Sequence, residues 1–264
     1  MAMKNNVILL FIFAAMAMNQ GCSVMGKVNW NYAQLEAAAA SALTAASITD
    51  AQVIALSKKA VEQMDAQNPL ASDAYQQRLA RLLSGIDNVE GLKINYKVYK
   101  TDEVNAFACG DGSIRVYSGL MDIMDDSELM AIIGHECGHV VHQDTKRAMK
   151  SAYLAAAARN VVSATGGTVA TLSQSALGSI WESFANSQFS QKQEYAADEY
   201  GYKFSTEHGY SPYSMCNALE KLVQLSGSSK ASLVQKMFSS HPDSAKRAQK
   251  MREKADAATG TASK

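Results

Sequence analysis

Two periods of apolar and polar residues alternate along the chain. From residue 47 to 67, Val53, Leu56, Ala60, Val61 and Met64 recur three or four apart, the spacing that gathers apolar side chains on one helical face. Asp50 stands where a cap is expected, and Asn68-Pro69 ends the pattern, because proline has no N–H for a helical bond. A second helix follows, with Tyr75, Leu79, Leu82 and Leu83 on one side. The period then falls to two. In LKINYKVYK (residues 92–100), Leu92, Ile94, Tyr96 and Val98 alternate with polar neighbours, the mark of a half-buried strand. VNAFA and SIRVYSG flank CGDG, whose Gly-Asp-Gly predicts a hairpin turn. Together these segments predict a sheet of about three strands. From Asp125 the pattern is helical to the end. The expected class is α+β, predominantly helical.

Two stretches resist this reading. Residues 151–180 are rich in Ala, Gly, Ser and Thr; Arg159, Gly166-Gly167 and the hydroxyls argue against a conventional membrane span. A buried or membrane-facing helical pair is expected there. Near the start, Lys4 precedes the apolar run VILLFIFAAMAM (residues 7–18). A span needs about 20 apolar residues, so this run reads as an export signal. Gly21-Cys22 then resembles a lipoprotein cleavage site, with Cys22 as the lipidated new N-terminus, although Asn19 and Gln20 depart from that pattern. Ser23 fits sorting to the outer membrane; the alternative is simple cleavage and release into the periplasm. Residues 23–50 read as a tether followed by an alanine-rich helix.

Composition narrows the class. The 264 residues are 47% hydrophobic and 19% charged, which allows a sizeable core. Lys+Arg and Asp+Glu are both 25, so no basic surface points to nucleic acid. No phosphate-loop or dinucleotide fingerprint is present. An exported chain meets an oxidising compartment. Cys109, Cys137 and Cys216 are an odd set, so one disulfide plus a thiol and three thiols both remain open.

The candidate chemistry lies in GHECGHVVH. His135 and His139 are four apart and project from one helical face, where both reach one ion. Glu136 is turned about 100° away, able to touch a water on that ion without ligating it. Gly134 and Gly138 in mid-helix each cost up to about 1 kcal/mol against alanine, which implies close packing. A third ligand is needed for catalytic zinc. The extended HExxHxxGxxH pattern fails, because Thr145 occupies the last position and Val141-His142 holds no glycine. Glu194 and Asp198 offer the alternative. They too are four apart, so Glu194 can ligate while Asp198 accepts an N–H from a ligand histidine. Two imidazoles and a carboxylate suit zinc rather than magnesium.

HExxH followed by ExxxD resembles the gluzincin metallopeptidases. The ordered set NAFA, RVYSGLMD, GHECGH, QFSQKQEYAAD and SSHPDSAKRAQK, across residues 48–255, resembles the zinc peptidase family that includes HtpX and the CAAX prenyl protease (peptidase family forty-eight), and within it the exported bacterial lipoprotein members. The resemblance implies a zincin-like fold, one Zn2+ per chain held by His135, His139 and Glu194, Glu136 as general base, and Asp198 beside a ligand histidine. It implies that His241 of His241-Pro242 lies near the metal, either stabilising an oxyanion or ligating zinc in a closed state; the plainer reading is a histidine capping the helix from Ser244. Arg247 is expected to anchor that segment by an ion pair. Asn105, Ala106, Phe107 and Ala108 are expected to bind substrate backbone. Cys137 replaces an apolar residue common in relatives and is expected to be buried. Cys109 ends the substrate strand, where an inhibitory thiolate is the lesser alternative; His142 is expected to face solvent rather than ligate, and His208 to sit at a helix end against the dipole.

The implied organisation is a signal over 1–21, a tether and helical segment over 22–47, a peptidase domain over 48–256 and a flexible tail over 257–264. The implied function is an exported zinc endopeptidase acting on envelope or misfolded polypeptides, anchored to the inner leaflet of the outer membrane and possessing envelope protein partners. The competing reading is a latent or non-catalytic lipoprotein scaffold or chaperone whose zinc site is blocked. A membrane-embedded prenyl-protein protease would need more apolar spans.

Overall fold

The computed structural model describes residues 48–158 and 172–260. Helix α1 (Asp50–Gln67) begins at Thr49, whose side chain accepts from the Gln52 N–H while Gln52 reciprocates. Asp50, expected to cap, is instead the first helical residue: threonine followed three residues later by glutamine forms the reciprocal pair that an aspartate one position on cannot. Val53, Leu56, Ala60 and Val61 are buried as the spacing predicts. Helix α2 (Asp73–Leu82) turns Leu79 and Leu82 inward.

The segment 92–100 is not one strand. Asn88–Val89 (β1) and Leu92–Lys93 (β2) pair in a tiny hairpin across Glu90 and Gly91, both at positive φ. The chain then restarts as β3 (Asn95–Tyr99). β4 (Ala106–Ala108) and β5 (Ser113–Tyr117) form the hairpin expected around CGDG. β5 lies between them in the three-stranded sheet, parallel to β3 and antiparallel to β4. β4 is therefore an edge strand. After Tyr117 the chain turns into α3 (Ser118–Ile123), so helix resumes earlier than Asp125.

Helix α4 (Asp126–Val141) is capped by Asp125, whose side chain accepts from the Glu128 N–H while Glu128 accepts from the Asp125 N–H. Its residues 128–139 are all buried, beyond the single apolar stripe that periodicity suggests. Helices α5 (Asp144–Ala158), α6 (Gln174–Ala185), α7 (Gln191–Glu207), α8 (Ser214–Ser226), α9 (Ala231–Ser240) and α10 (Ser244–Thr259) complete the described fold. Helix α10 runs past residue 256, where the tail was expected to start, and ends at Gly260 at positive φ. Helix α7 ends at His208-Gly209 as expected, with Gly209 at positive φ.

One seam sets the geometry of everything below. Along α4 and α7 the two backbones almost touch. A Cβ at Gly138 would stand 3.0 Å from the Cα of Ala197, and one at Gly201 would stand 2.7 Å from the carbonyl oxygen of Ala131. Gly134 faces Gly201 and Phe204 in the same way. The glycines thus trade helix propensity for close approach. The main core lies between the sheet, α2, α4 and α8, and a second core joins α1, α5 and α6. Of the predicted pair across 151–180, the described residues show the end of α5 and the start of α6; residues 159–171 lie outside them.

Candidate metal centre

Helix α4 presents His135 and His139 one turn apart, with their Nε2 atoms 3.1 Å from each other. Helix α7 starts at Ser190, capped reciprocally with Gln193, which places Glu194 in its first turn and Asp198 one turn on. Glu194 Oε1 lies 3.3 Å from His139 Nε2, and Glu194 Oε2 lies 3.7 Å from His135 Nε2. His241, the residue after α9, points Nδ1 into the same space, 3.0 Å from Glu194 Oε1 and 3.3 Å from His135 Nε2. Ligands bound at about 2.05 Å around a tetrahedral ion stand about 3.3 Å apart. His135, His139, Glu194 and His241 thus form a buried group with the spacing of one ion's ligands.

Charge supports the same conclusion. Glu136, Glu194 and Asp198 are buried, and the buried guanidinium of Arg247 faces them. Arg247 holds Asp198 through Nε at 2.8 Å and Nη2 at 2.6 Å, and also pairs with Glu194. Three formal anions against one cation leave an excess that a dication neutralises, and buried charge without compensation is costly. Burial favours the protonated acid at Asp198, yet the Arg247 charge, its hydrogen bonds and that of His135 outweigh burial and hold the pKa at about 2. Glu194 is held well below the usual range against the same burial, by the histidines around it. Glu136 Oε1 is buried with no hydrogen-bond partner, as expected of an oxygen whose partner arrives with the reaction.

The ring nitrogens facing away from this point are also fixed. His135 Nδ1 lies 2.9 Å from Asp198 Oδ1, and His139 Nδ1 lies 3.0 Å from Asp144 Oδ2. An ionised carboxylate only accepts, so Nδ1 carries a proton in both rings, and Nε2 is the ring atom that each turns to the centre. The donor set fits zinc: nitrogen and carboxylate ligands of borderline softness, closely spaced and buried.

A cleft of about 300 Å3 opens beside it, lined by Asn105, Ala106, Phe107 and Ala108 on one side, and including Glu136 and His241. The model for "Peptidase family M48" matches residues 71–255. The chain belongs to this family. It is 41% identical over 244 residues to Metalloprotease LoiP of Escherichia coli (strain K12), covering 91% of this chain and 95% of LoiP. Metalloprotease YcaL of the same organism is 37% identical over 255 residues, covering 96% of this chain and 98% of YcaL. The Beta-barrel assembly-enhancing protease of Yersinia pestis is 28% identical over 193 residues, 69% of this chain but 40% of that protein.

The M48 fold brings together His135, Glu136, His139, Glu194, Asp198, His241 and Arg247, with Asn105, Ala106, Phe107 and Ala108 along the adjoining cleft. His241 is not a cap for the following helix; Asp243 holds that position, and His241 is buried among the ligand atoms. Cys22 and the helical segment expected before residue 47 lie outside the described residues. Cys109 does not approach the centre as a thiolate: it is fully buried in the second core, and burial pushes its thiol pKa well up. Burial likewise raises Cys137 to about 12, so it is a neutral core residue. Cys109, Cys137 and Cys216 are all free thiols. His142 is exposed, and His208 Nδ1 donates to the Phe204 carbonyl at the end of its helix.

Two participants were missed. Phe189 stacks on the His139 ring, centroids 4.0 Å apart and planes 16° from parallel. Asp144 holds the far side of the same ring. Its sequence signal is weak: an aspartate five residues past the second histidine, beyond the end of that helix.

Proposed function

We propose that this M48 peptidase is an exported zinc endopeptidase that hydrolyses peptide bonds in envelope or misfolded polypeptides. The convergence of the His135, His139 and Glu194 donor atoms beside an unpartnered Glu136 carboxylate oxygen carries this reading. His135, His139 and Glu194 would hold the ion. Zinc, when bound, supplies Lewis acidity that activates water and polarises the scissile carbonyl. Glu136 Oε1 accepts the proton of the attacking water and returns it to the leaving amine. Asp198 keeps the His135 proton on Nδ1, and Arg247 pairs with Asp198 and Glu194.

Strand register supports a position for the substrate. Asn105 accepts from the Tyr117 N–H, and the Cys109 N–H donates to Ser113. In an antiparallel ladder, facing pairs alternate between bonded and non-bonded, so Ala106 and Ala108 turn their backbone groups to the free edge. An extended peptide adding there runs past Glu136. The aromatic side chains of Phe107, Tyr117, Trp181 and Phe184 line the same cleft.

His241 Nε2 lies 3.7 Å from Glu136 Oε1, on the catalytic side of the cleft. One role is to donate to the developing oxyanion. Its Nδ1 position among the ligand atoms supports a second: a closed resting state that must open for catalysis. Peptide turnover by His241→Ala separates these, falling in the first case and rising in the second. Purified protein lacking residues 1–22 should bind one zinc and cleave peptides, while Glu136→Gln keeps the zinc and loses cleavage; zinc-free protein would refute the whole reading.

For location, Cys22 is proposed as the lipid-carrying residue, with the peptidase unit (48–256) facing the periplasm from the outer membrane. Among the described residues no helix is long and apolar enough to cross a membrane. Cys22→Ser should move the protein from the membrane to the soluble envelope fraction; unchanged fractionation would remove the anchor from the proposal.

A further inference from the structure

His139 and Glu194 sit on different helices, yet both lead to one buried carboxylate. Helix α4 ends at Val141, and Gln143 takes a positive φ of 61°. That reversal starts α5 at Asp144 and folds its side chain back beneath the ring of His139. Asp144 is buried. Its Oδ2 accepts from His139 Nδ1 at 3.0 Å, while Oδ1 accepts from Gln193 Nε2 at 2.7 Å. Arg147, on the next turn of α5, pairs with the same carboxylate.

Gln193 is the second half of this connection. Its Oε1 accepts from the Ser190 N–H at 2.9 Å and forms the reciprocal cap that starts α7. Its Nε2 goes to Asp144. Glu194 is the next residue. A single carboxylate therefore fixes the tautomer and tilt of one ligand ring and also tethers the first turn that carries another ligand. On the opposite face of His139, Phe189 blocks ring rotation by stacking, and its N–H donates to the Ser240 carbonyl at 3.1 Å, one residue before His241.

We propose that Asp144 is a positioning residue of the metal centre, the counterpart for His139 of what Asp198 is for His135, and that through Gln193 it also sets the place of Glu194. It touches neither the substrate nor the reacting atoms. This rests on the zinc peptidase reading, with His139 and Glu194 as ligands. Outer carboxylates that orient ligand histidines change metal affinity by about ten- to a hundredfold when removed. An asparagine keeps an acceptor oxygen for His139 Nδ1 but cannot accept from Gln193 and Arg147 on its nitrogen, so it separates the two connections.

The experiment measures the zinc dissociation constant by chelator competition on protein lacking residues 1–22, comparing wild type, Asp144→Ala, Asp144→Asn and Gln193→Ala. The metal-free melting temperature is followed alongside. The expected result is about a ten- to hundredfold weaker zinc affinity for Asp144→Ala, a smaller loss for Asp144→Asn, and a smaller loss for Gln193→Ala. With zinc saturating, kcat falls and KM for a peptide stays near wild type. Wild-type zinc affinity in Asp144→Asn and Gln193→Ala together overturns the proposal, and these two conservative variants decide the question if Asp144→Ala does not fold. Failure of the underlying reading shows differently: the wild type itself then binds no zinc, or cleaves independently of Glu136.

Discussion

Two charge clusters, a half-buried one on the sheet and a buried one between α4 and α7, follow opposite rules. In the sheet, Asp65 of α1 accepts from Arg115 Nε and Nη2 at 2.8 and 3.0 Å, from Lys97 at 2.7 Å and from the Tyr99 hydroxyl at 2.7 Å. Arg115 Nη1 is taken up by Asn95 and the Ile114 carbonyl. Donors and acceptors match, and the anion is outnumbered by its cations. This cluster ties α1 to the central strand and is complete as it stands. In the metal centre, anions outnumber the guanidinium, imidazole Nε2 atoms crowd one another, and a Glu136 oxygen has no hydrogen-bond partner. A charge network whose anion is fully paired by its own residues supports a fold. One that balances only when something else is present marks a site.

That contrast can be tested, beginning with the largest effect. Glu136→Gln should lower peptide turnover by about 100- to 10,000-fold, the usual contribution of a positioned base, with zinc content unchanged by metal analysis. Arg247→Met leaves Asp198 and Glu194 buried without their cation; breaking such a pair costs about 3–5 kcal/mol, to be read as a lower midpoint in denaturant unfolding. Its metal-loaded form should recover part of that loss, since a dication replaces some of the missing charge.

In the sheet, Asp65→Asn should leave kcat/KM within about twofold of wild type, because that cluster touches no reacting atom. Its effect belongs to acid stability. Burial opposes ionisation of Asp65, but the hydrogen bonds from Arg115 and Lys97 prevail and lower its pKa from 3.8 to about 2. The stabilisation is thus fully present above the unfolded value and is lost as pH falls through about 2. Unfolding curves of the wild type and Asp65→Asn should converge across that window and stay separated at neutral pH. At the small end, His142→Ala should change stability by less than about 0.5 kcal/mol and leave zinc affinity unchanged, since this exposed histidine lies off the centre. A large loss of zinc there would mean the ligand set is misassigned.

The two residue pairs of the candidate site could be read from the chain because each lies within a single helix. An i,i+4 separation places His135 over His139, and Glu194 over Asp198, whatever the rest of the fold does. The mid-helix glycines announced a close contact in the same local way. Asp144 could not be read so. It is five residues from His139, but the chain reverses at Gln143, so no helical period links them. Phe189 gave no periodic sign either, and Thr49 displaced Asp50 as a cap through a reciprocal bond that apolar spacing does not encode.

Local spacing thus specified the candidate chemistry: two imidazoles on one helix with Glu136 between them, and two carboxylates on another. Packing specified its precision. The partner of α4 is α7 because Gly134, Gly138 and Gly201 admit a backbone contact between them. β3 lies parallel to β5, which leaves β4 at the edge facing the cleft; alternation shows that a strand has two faces, but not which strand lies beside it. Side-chain direction within an element is fixed by backbone geometry over a few residues. Neighbourhood between elements depends on which surfaces can approach, and that is a property of the assembled core.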